Sequence, residues 1–174
     1  MEESPELKEK LEKLALLQKQ LFAYKYACSS IELDSVTVAP PDTEEGRSEA
    51  LGILSGFQYL LSTCPETVEL LEWLRANKEQ LTVHQAREVE LLLRDRDYVG
   101  SIPQEEFVDY QRTLSKAEAV WHRAKPANDF AMFKPYLEKI FDANIRFAKY
   151  YKPDQAPYDT QLDLYERGDR KSVV

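Results

Sequence analysis

The stretch from residue 104 to residue 124, QEEFVDYQRTLSKAEAVWHRA, carries the clearest helical pattern in the chain. Its apolar and small residues recur at alternating spacings of three and four, at Phe107, Tyr110, Leu114, Ala117, Trp121 and Ala124. This period places them on one face of an α-helix. Gly100 and Pro103 end the preceding helix and start this one. The stretch therefore predicts a long amphipathic helix that packs against other helices.

Helical periodicity continues through most of the remaining sequence. Ser4 as a cap and Pro5 at the first helical position start a first helix, which we expect to end near Ser29. Further helices are predicted to begin near Thr43, at Cys64-Pro65, after the cap Thr82 and after Asn128, with a short final helix over residues 158–166. The predicted inward positions outside the quoted stretch include Leu51, Leu54, Phe57, Leu61, Val83, Ala86, Val89, Leu93, Phe130, Phe133, Leu137, Ile140, Phe141, Phe147 and Tyr151.

Two places interrupt the helical pattern. Within residues 30–41 the sequence IELDSVTVAPP, at 31–41, alternates β-branched and polar residues and closes on two prolines, which favours an extended connector or a short edge strand. Pro135 lies one turn inside the sixth helix, so we expect the first turn of that helix to be a separate piece.

Together these patterns predict an all-α fold: a bundle of about six long antiparallel helices with one extended connector around residues 30–41. We expect residues 1–167 to form a single helical domain. Residues 168–174 lack periodicity and are predicted to form a disordered tail. A repeat period of 30 to 40 residues, as in solenoids, is absent from the sequence.

Composition restricts the partners and the compartment. The 174 residues carry a formal net charge of -8, which repels phosphate backbones and anionic lipid, so we expect neither nucleic acid nor a membrane as a partner. The charged start of the chain differs from a secretory signal. Cys28 and Cys64 have no metal-binding or redox spacing, and we interpret them as reduced, partly buried thiols in a cytoplasmic protein. A disulfide between them is the alternative.

The sequence offers little catalytic chemistry. A helical zinc peptidase site needs two histidines one turn apart, whereas His84 and His122, the only histidines, lie on different predicted helices. For both histidines we favour an ordinary surface or half-buried side chain; a pair of His122 with the Glu118 carboxylate, one turn before it, is the alternative. Residues 52–56, GILSG, differ from a nucleophile elbow because the serine comes one place late, in a helix, and we interpret them as small residues where two helices pack closely. We therefore predict no catalytic, cofactor-binding or metal-binding residue in this chain.

Five stretches, taken together and in order, resemble the N-terminal part of the carboxypeptidase Taq family of zinc metallocarboxypeptidases. They are ELDSVTVAPP at 32–41, GRSEALGILSG at 46–56, REVELLLR at 87–94 followed by Ile102-Pro103, NDFAMFKPYLEKI at 128–140, and PYDTQLDLYE at 157–166. The stretch at 128–140 is the most specific of the five. The resemblance covers nearly the whole chain.

The resemblance implies a mostly helical zinc exopeptidase that removes C-terminal residues from peptides and is commonly a homodimer. In such enzymes the N-terminal helices wall and cover a deep substrate cleft. The zinc ligands lie in a His-Glu-x-x-His helix, with a further acidic ligand, well after the region matched here. The peptide substrate and the zinc cofactor are therefore expected only in the full-length enzyme, and no ligand or catalytic residue transfers to a position in this chain.

The sequence departs from the family in two ways. Leu33 stands where the family often has tryptophan, and after Arg167-Gly168 the sequence ends where the family continues much further. A natural truncation, a split gene product and a fragment are all compatible with this ending. We therefore expect an N-terminal carboxypeptidase region that is inactive alone. The alternative is a non-catalytic helical interaction or dimerisation module.

Overall fold

The structure is a computed structural model that describes residues 4–168. This range contains seven α-helices and no strand, which confirms the all-α prediction. The helices are α1 (Pro5–Thr37), α2 (Glu44–Thr63), α3 (Pro65–Ala76), α4 (Val83–Ser101), α5 (Gln104–Ala124), α6 (Phe130–Tyr151) and α7 (Pro157–Tyr165), with 3-10 turns at Pro41–Thr43 and Lys78–Gln80. None of the described helices is long and apolar enough to cross a membrane.

The predicted extended connector around residues 30–41 is wrong over most of its length. Helix α1 does not end near Ser29 but continues to Thr37. Extending an existing helix costs little because each added residue gains a hydrogen bond, and this outweighs the weak helix propensity of β-branched residues. The Thr37 hydroxyl also donates to the Leu33 carbonyl at 2.6 Å. Only the segment around Pro40 is extended, since proline cannot continue the helix.

The predicted break in the sixth helix is also wrong. Helix α6 is continuous from Phe130 to Tyr151 with Pro135 inside it. Proline at this position removes one backbone hydrogen bond near the start of the helix, and packing of the remaining turns compensates for that loss. The Asp129 side chain accepts a hydrogen bond from the Met132 N–H at 3.1 Å and caps the same end.

Several predicted boundaries agree with the structure. Thr82 caps α4 through a capping box with Gln85, and the final helix lies within one residue of its predicted range. The single helical domain over residues 1–167 stays a prediction. Of the predicted tail, only Gly168 belongs to the described residues, and residues 169–174 lie outside them.

The hydrophobic core has two centres. The larger one joins α1, α3 and α4 through Leu7, Leu14, Leu17, Leu70, Leu71, Leu74, Val89 and Leu93. The second lies where α6 meets the end of α4 and the start of α5, around Ile102, Ala143 and Phe147. The ring of Tyr110 packs edge-on against Phe147, with 5.3 Å between centroids. Helix α2 lies between these centres and contacts α1, α3, α4 and α5.

Helices α2 and α5 share the most extensive helix–helix contact among the described residues, and Gly52 lies within it. The Arg112 side chain crosses directly over this glycine, so that a Cβ on residue 52 would lie 2.9 Å from the arginine Cγ. Ser48, one turn earlier, is buried and donates to the Arg112 carbonyl at 3.3 Å. Small residues at this seam allow the two helices to pack closely, as predicted for the GILSG stretch.

Two glycines of α2 provide a matched test of this packing. We expect Gly52→Ala to destabilise the fold by about 1–3 kcal/mol, because the added methyl group displaces Arg112. Gly46→Ala should instead stabilise it by up to about 1 kcal/mol, since nothing lies within 4 Å of the new Cβ and alanine favours the helix. Urea unfolding of both variants measures the difference. Equal stabilisation by the two substitutions would show that the contact between α2 and α5 at Gly52 has room for a methyl group.

Candidate functional site

The two histidines do not form a site. His84 lies exposed in the first turn of α4, and His122 lies exposed near the end of α5. The His122 ring packs edge-on against Trp121, with 4.8 Å between centroids. Both positions agree with the surface histidines that the sequence favours, while Glu118 lines a cleft between α1, α2 and α5. Within residues 4–168, no group of three or more His, Cys, Asp or Glu side chains is placed to hold a metal ion. The donor set of these residues therefore does not fit the zinc site of the resembled family.

The acidic residues at the start of α2 serve the α2–α5 contact. Glu44 pairs with Arg123 at 2.7 Å, Glu45 with Lys116 at 3.1 Å, and Glu49 with Arg112 at 3.1 Å. As the residue number rises along α2 it falls along α5, so the two helices are antiparallel. These carboxylates are ion-pair partners of basic side chains on α5 and not a catalytic pair.

A polar cleft of about 500 Å³ lies between α1, α2 and α5. Its polar lining comes from all three helices: Lys25, Cys28, Ser29, Glu32, Ser55, Gln58, Gln111, Ser115 and Glu118. Burial raises the pKa of the Glu32 carboxyl, and the like charge of Glu118 raises it further. The cleft therefore places two carboxylates close enough to interact.

Cys28 in this cleft is a weak nucleophile. Burial raises the pKa of its thiol, and the negative charge of Glu32 adds to the increase, while a hydrogen bond with Ser55 opposes it. A thiol whose pKa is raised stays protonated and reacts slowly. Both Cys28 and Cys64 are free and partly buried, as predicted.

The cleft is better suited to binding than to catalysis. Hydroxyl, amide and carboxylate groups can accept hydrogen bonds from a cationic or amide-bearing ligand. None of the cleft residues is a histidine, so the serines have no imidazole base to activate them. Sequence analysis missed this cleft because it assigned residues 30–41 to an extended connector. In a continued helix, the spacing of Lys25, Cys28 and Glu32 would have placed all three on one face.

A second cleft, of about 880 Å³, lies where α7 packs against α4. The Asp163 carboxylate accepts hydrogen bonds from Lys152 at 2.7 Å and from the Gly168 N–H at 2.8 Å, and it lies 3.7 Å from Arg94. Its pKa is lowered, first by the Lys152 hydrogen bond and then by the Gly168 N–H. Arg94 also donates to the Asp163 carbonyl. These contacts fasten α7 to the bundle and explain the charged side chains at this cleft.

Removing the Glu32 charge should stabilise the protein in a pH-dependent way. Because the pKa of Glu32 is higher in the folded state, its ionisation weakens the fold. We expect Glu32→Gln to increase the free energy of unfolding at pH 7. The gain should begin to shrink as the pH falls through the raised folded-state pKa and should vanish below the unfolded-state pKa of about 4.3, where the carboxyl is protonated in both states.

Urea unfolding between pH 3.5 and 7.5 measures this effect. Glu12→Gln, on an exposed face of the same helix, is the control and should lack the gain at pH 7. Identical pH profiles for the two variants would show that the Glu32 charge does not destabilise the folded protein.

Comparison with known proteins identifies the family. Residues 13–174 match the sequence profile described as the carboxypeptidase Taq (M32) metallopeptidase family. Over 152 residues the chain is 35% identical to carboxypeptidase 1 of Bacillus subtilis, covering 87% of this chain and 30% of that protein. It is 32% identical to thermostable carboxypeptidase 1 of Pyrococcus furiosus over 166 residues, covering 95% of this chain and 33% of that protein.

The fold agrees with these relationships. The crystal structure of BsuCP superposes with a TM-score of 0.88 at 34% identity, covering 94% of this chain and 33% of that one. This chain therefore spans about a third of the length of the relatives that it matches. Because the family profile matches almost the whole chain, the protein belongs to the carboxypeptidase Taq (M32) metallopeptidase family.

Proposed function

We propose that this chain forms the N-terminal helical part of a zinc metallocarboxypeptidase that removes C-terminal residues from peptides. The observation that supports this most strongly is the family match over residues 13–174, together with relatives about three times as long. The peptide substrate belongs to the complete enzyme. The helices of this chain would form one wall of its substrate cleft.

The zinc site is assigned to another part of the family fold. Among residues 4–168 no group of three or more possible ligands is placed to hold an ion, and zinc sites need three or four ligands. The catalytic water and the general base belong with those ligands. What this chain contributes is a stable helical support with an acidic surface.

A second candidate function is an interaction or dimerisation module. Its support is the number of large apolar side chains that lie exposed on several helices, among them Phe22, Phe57 and Phe141. A large exposed apolar patch commonly marks an interface. A homodimer of the complete enzyme is also part of this proposal. The free, partly buried cysteines support a cytoplasmic location.

The 174-residue chain should show no carboxypeptidase activity by itself. Incubated with N-blocked dipeptides and added zinc, it should release amino acid no faster than buffer does. The full-length Bacillus subtilis relative, assayed in parallel, is the positive control. Zinc-dependent release of C-terminal residues by the chain alone would contradict the proposal. Light scattering on the same sample distinguishes a monomer from the self-associating module.

A further inference from the structure

Helix α2 is apolar on two opposite sides. Its inner side, which faces the bundle, buries Ser48, Leu51, Gly52 and Ser55. Its outer side carries Ile53, Phe57 and Leu60, whose spacings of four and three residues put them in one row. These three side chains are 51%, 53% and 48% exposed. We name this row the outer stripe.

The composition of α2 is that of a buried helix. From Ala50 to Thr63 the sequence has no charged residue, although 31% of the whole chain is charged. A helix at a protein surface normally presents charged side chains to water, and one that is apolar all round is normally enclosed. The outer stripe therefore has the composition of a buried surface, although residues 4–168 leave it half-exposed.

We propose that the outer stripe packs against the part of the carboxypeptidase fold that lies outside these 174 residues. The inference rests on the proposed function, since the occupant is the remainder of that enzyme. Relatives that share this fold over 94% of the chain extend it about threefold. Helix α2 already contacts α1, α3, α4 and α5, and this packing would cover its outer side as well.

A second copy of this chain is a poorer occupant. Three half-exposed side chains offer on the order of 300 Å² of apolar surface. A stable complex between separate proteins usually buries about 800 Å² on each partner. Packing within one polypeptide has no such requirement, because the covalent connection removes most of the association entropy. The size of the stripe favours an intramolecular contact.

The test compares one substitution in two contexts. The first is the isolated 174-residue chain, and the second is a chimera in which this chain replaces the matched third of the Bacillus subtilis relative. Phe57→Lys should leave the melting temperature of the isolated chain unchanged within about 1 °C, but lower that of the chimera by roughly 5 °C. Phe57→Leu should lower the chimera's melting temperature much less. Leu16→Lys, at an exposed leucine on the charged side of α1, is the matched control and should change neither protein.

Each other outcome contradicts the inference. An equal fall in melting temperature in the isolated chain and in the chimera would mean that Phe57 already packs within this chain. No fall in the melting temperature of the chimera would mean that the outer stripe faces water. Light scattering that shows a dimer of the isolated chain, converted to a monomer by Phe57→Lys, would identify a second copy as the occupant.

If the chimera does not fold, a binding measurement tests the same contact. The remaining two thirds of the Bacillus subtilis relative, carrying a tag, is co-expressed with this chain, and capture should fall at least tenfold with Phe57→Lys. Equal capture of both forms, or of neither, contradicts the inference. Peptidase activity of the chimera distinguishes this inference from the proposed function. If Phe57→Lys lowers the melting temperature of a chimera that has no peptidase activity, only the proposed function is contradicted. If the chimera is active and Phe57→Lys leaves its melting temperature unchanged, only this inference is contradicted.

Discussion

The contact between α2 and α5 is the constraint on which the rest of the bundle depends. Gly52 allows the Arg112 side chain to cross the surface of α2, and the buried Ser48 joins the two backbones one turn away. Since α1, α3 and α4 also pack on α2, the position of α5 against α2 sets where both halves of the core meet. A larger residue at position 52 would displace the Arg112 side chain from this contact.

Burial, and not charge, supplies most of the stability at this contact. In each of the three ion pairs between α2 and α5 one side chain is more than half exposed, and such pairs contribute about 0–1 kcal/mol each. Burying a single leucine such as Leu51 contributes about 1.5–3 kcal/mol. The ion pairs have a different role: their order along the two helices favours the antiparallel arrangement over a parallel one. Charge thus selects the orientation of a contact that apolar packing holds together.

Sequence reasoning predicted the helices well because helical signals are local. The cap at Thr82, the proline at position 65 and the periodicity of residues 104–124 each act within a few residues. It failed at residues 30–37, where the continuation of a long helix outweighed local propensity. It also failed to predict the polar cleft, because Glu32 and Glu118 come together only when α1 and α5 both pack on α2. The clefts of this protein are properties of packing, which spacing within one segment cannot reveal.

Only some of the positions predicted to face inward are buried in the structure. Val89, Leu93 and Phe147 are buried as predicted, whereas Phe57, Val83, Phe130 and Phe141 are exposed. Periodicity identifies an apolar face, but it cannot say which of two apolar faces on one helix this part of the chain covers. On α2 the buried Leu51 and the exposed Phe57 belong to two such faces, so the same helical period predicts both positions as inward.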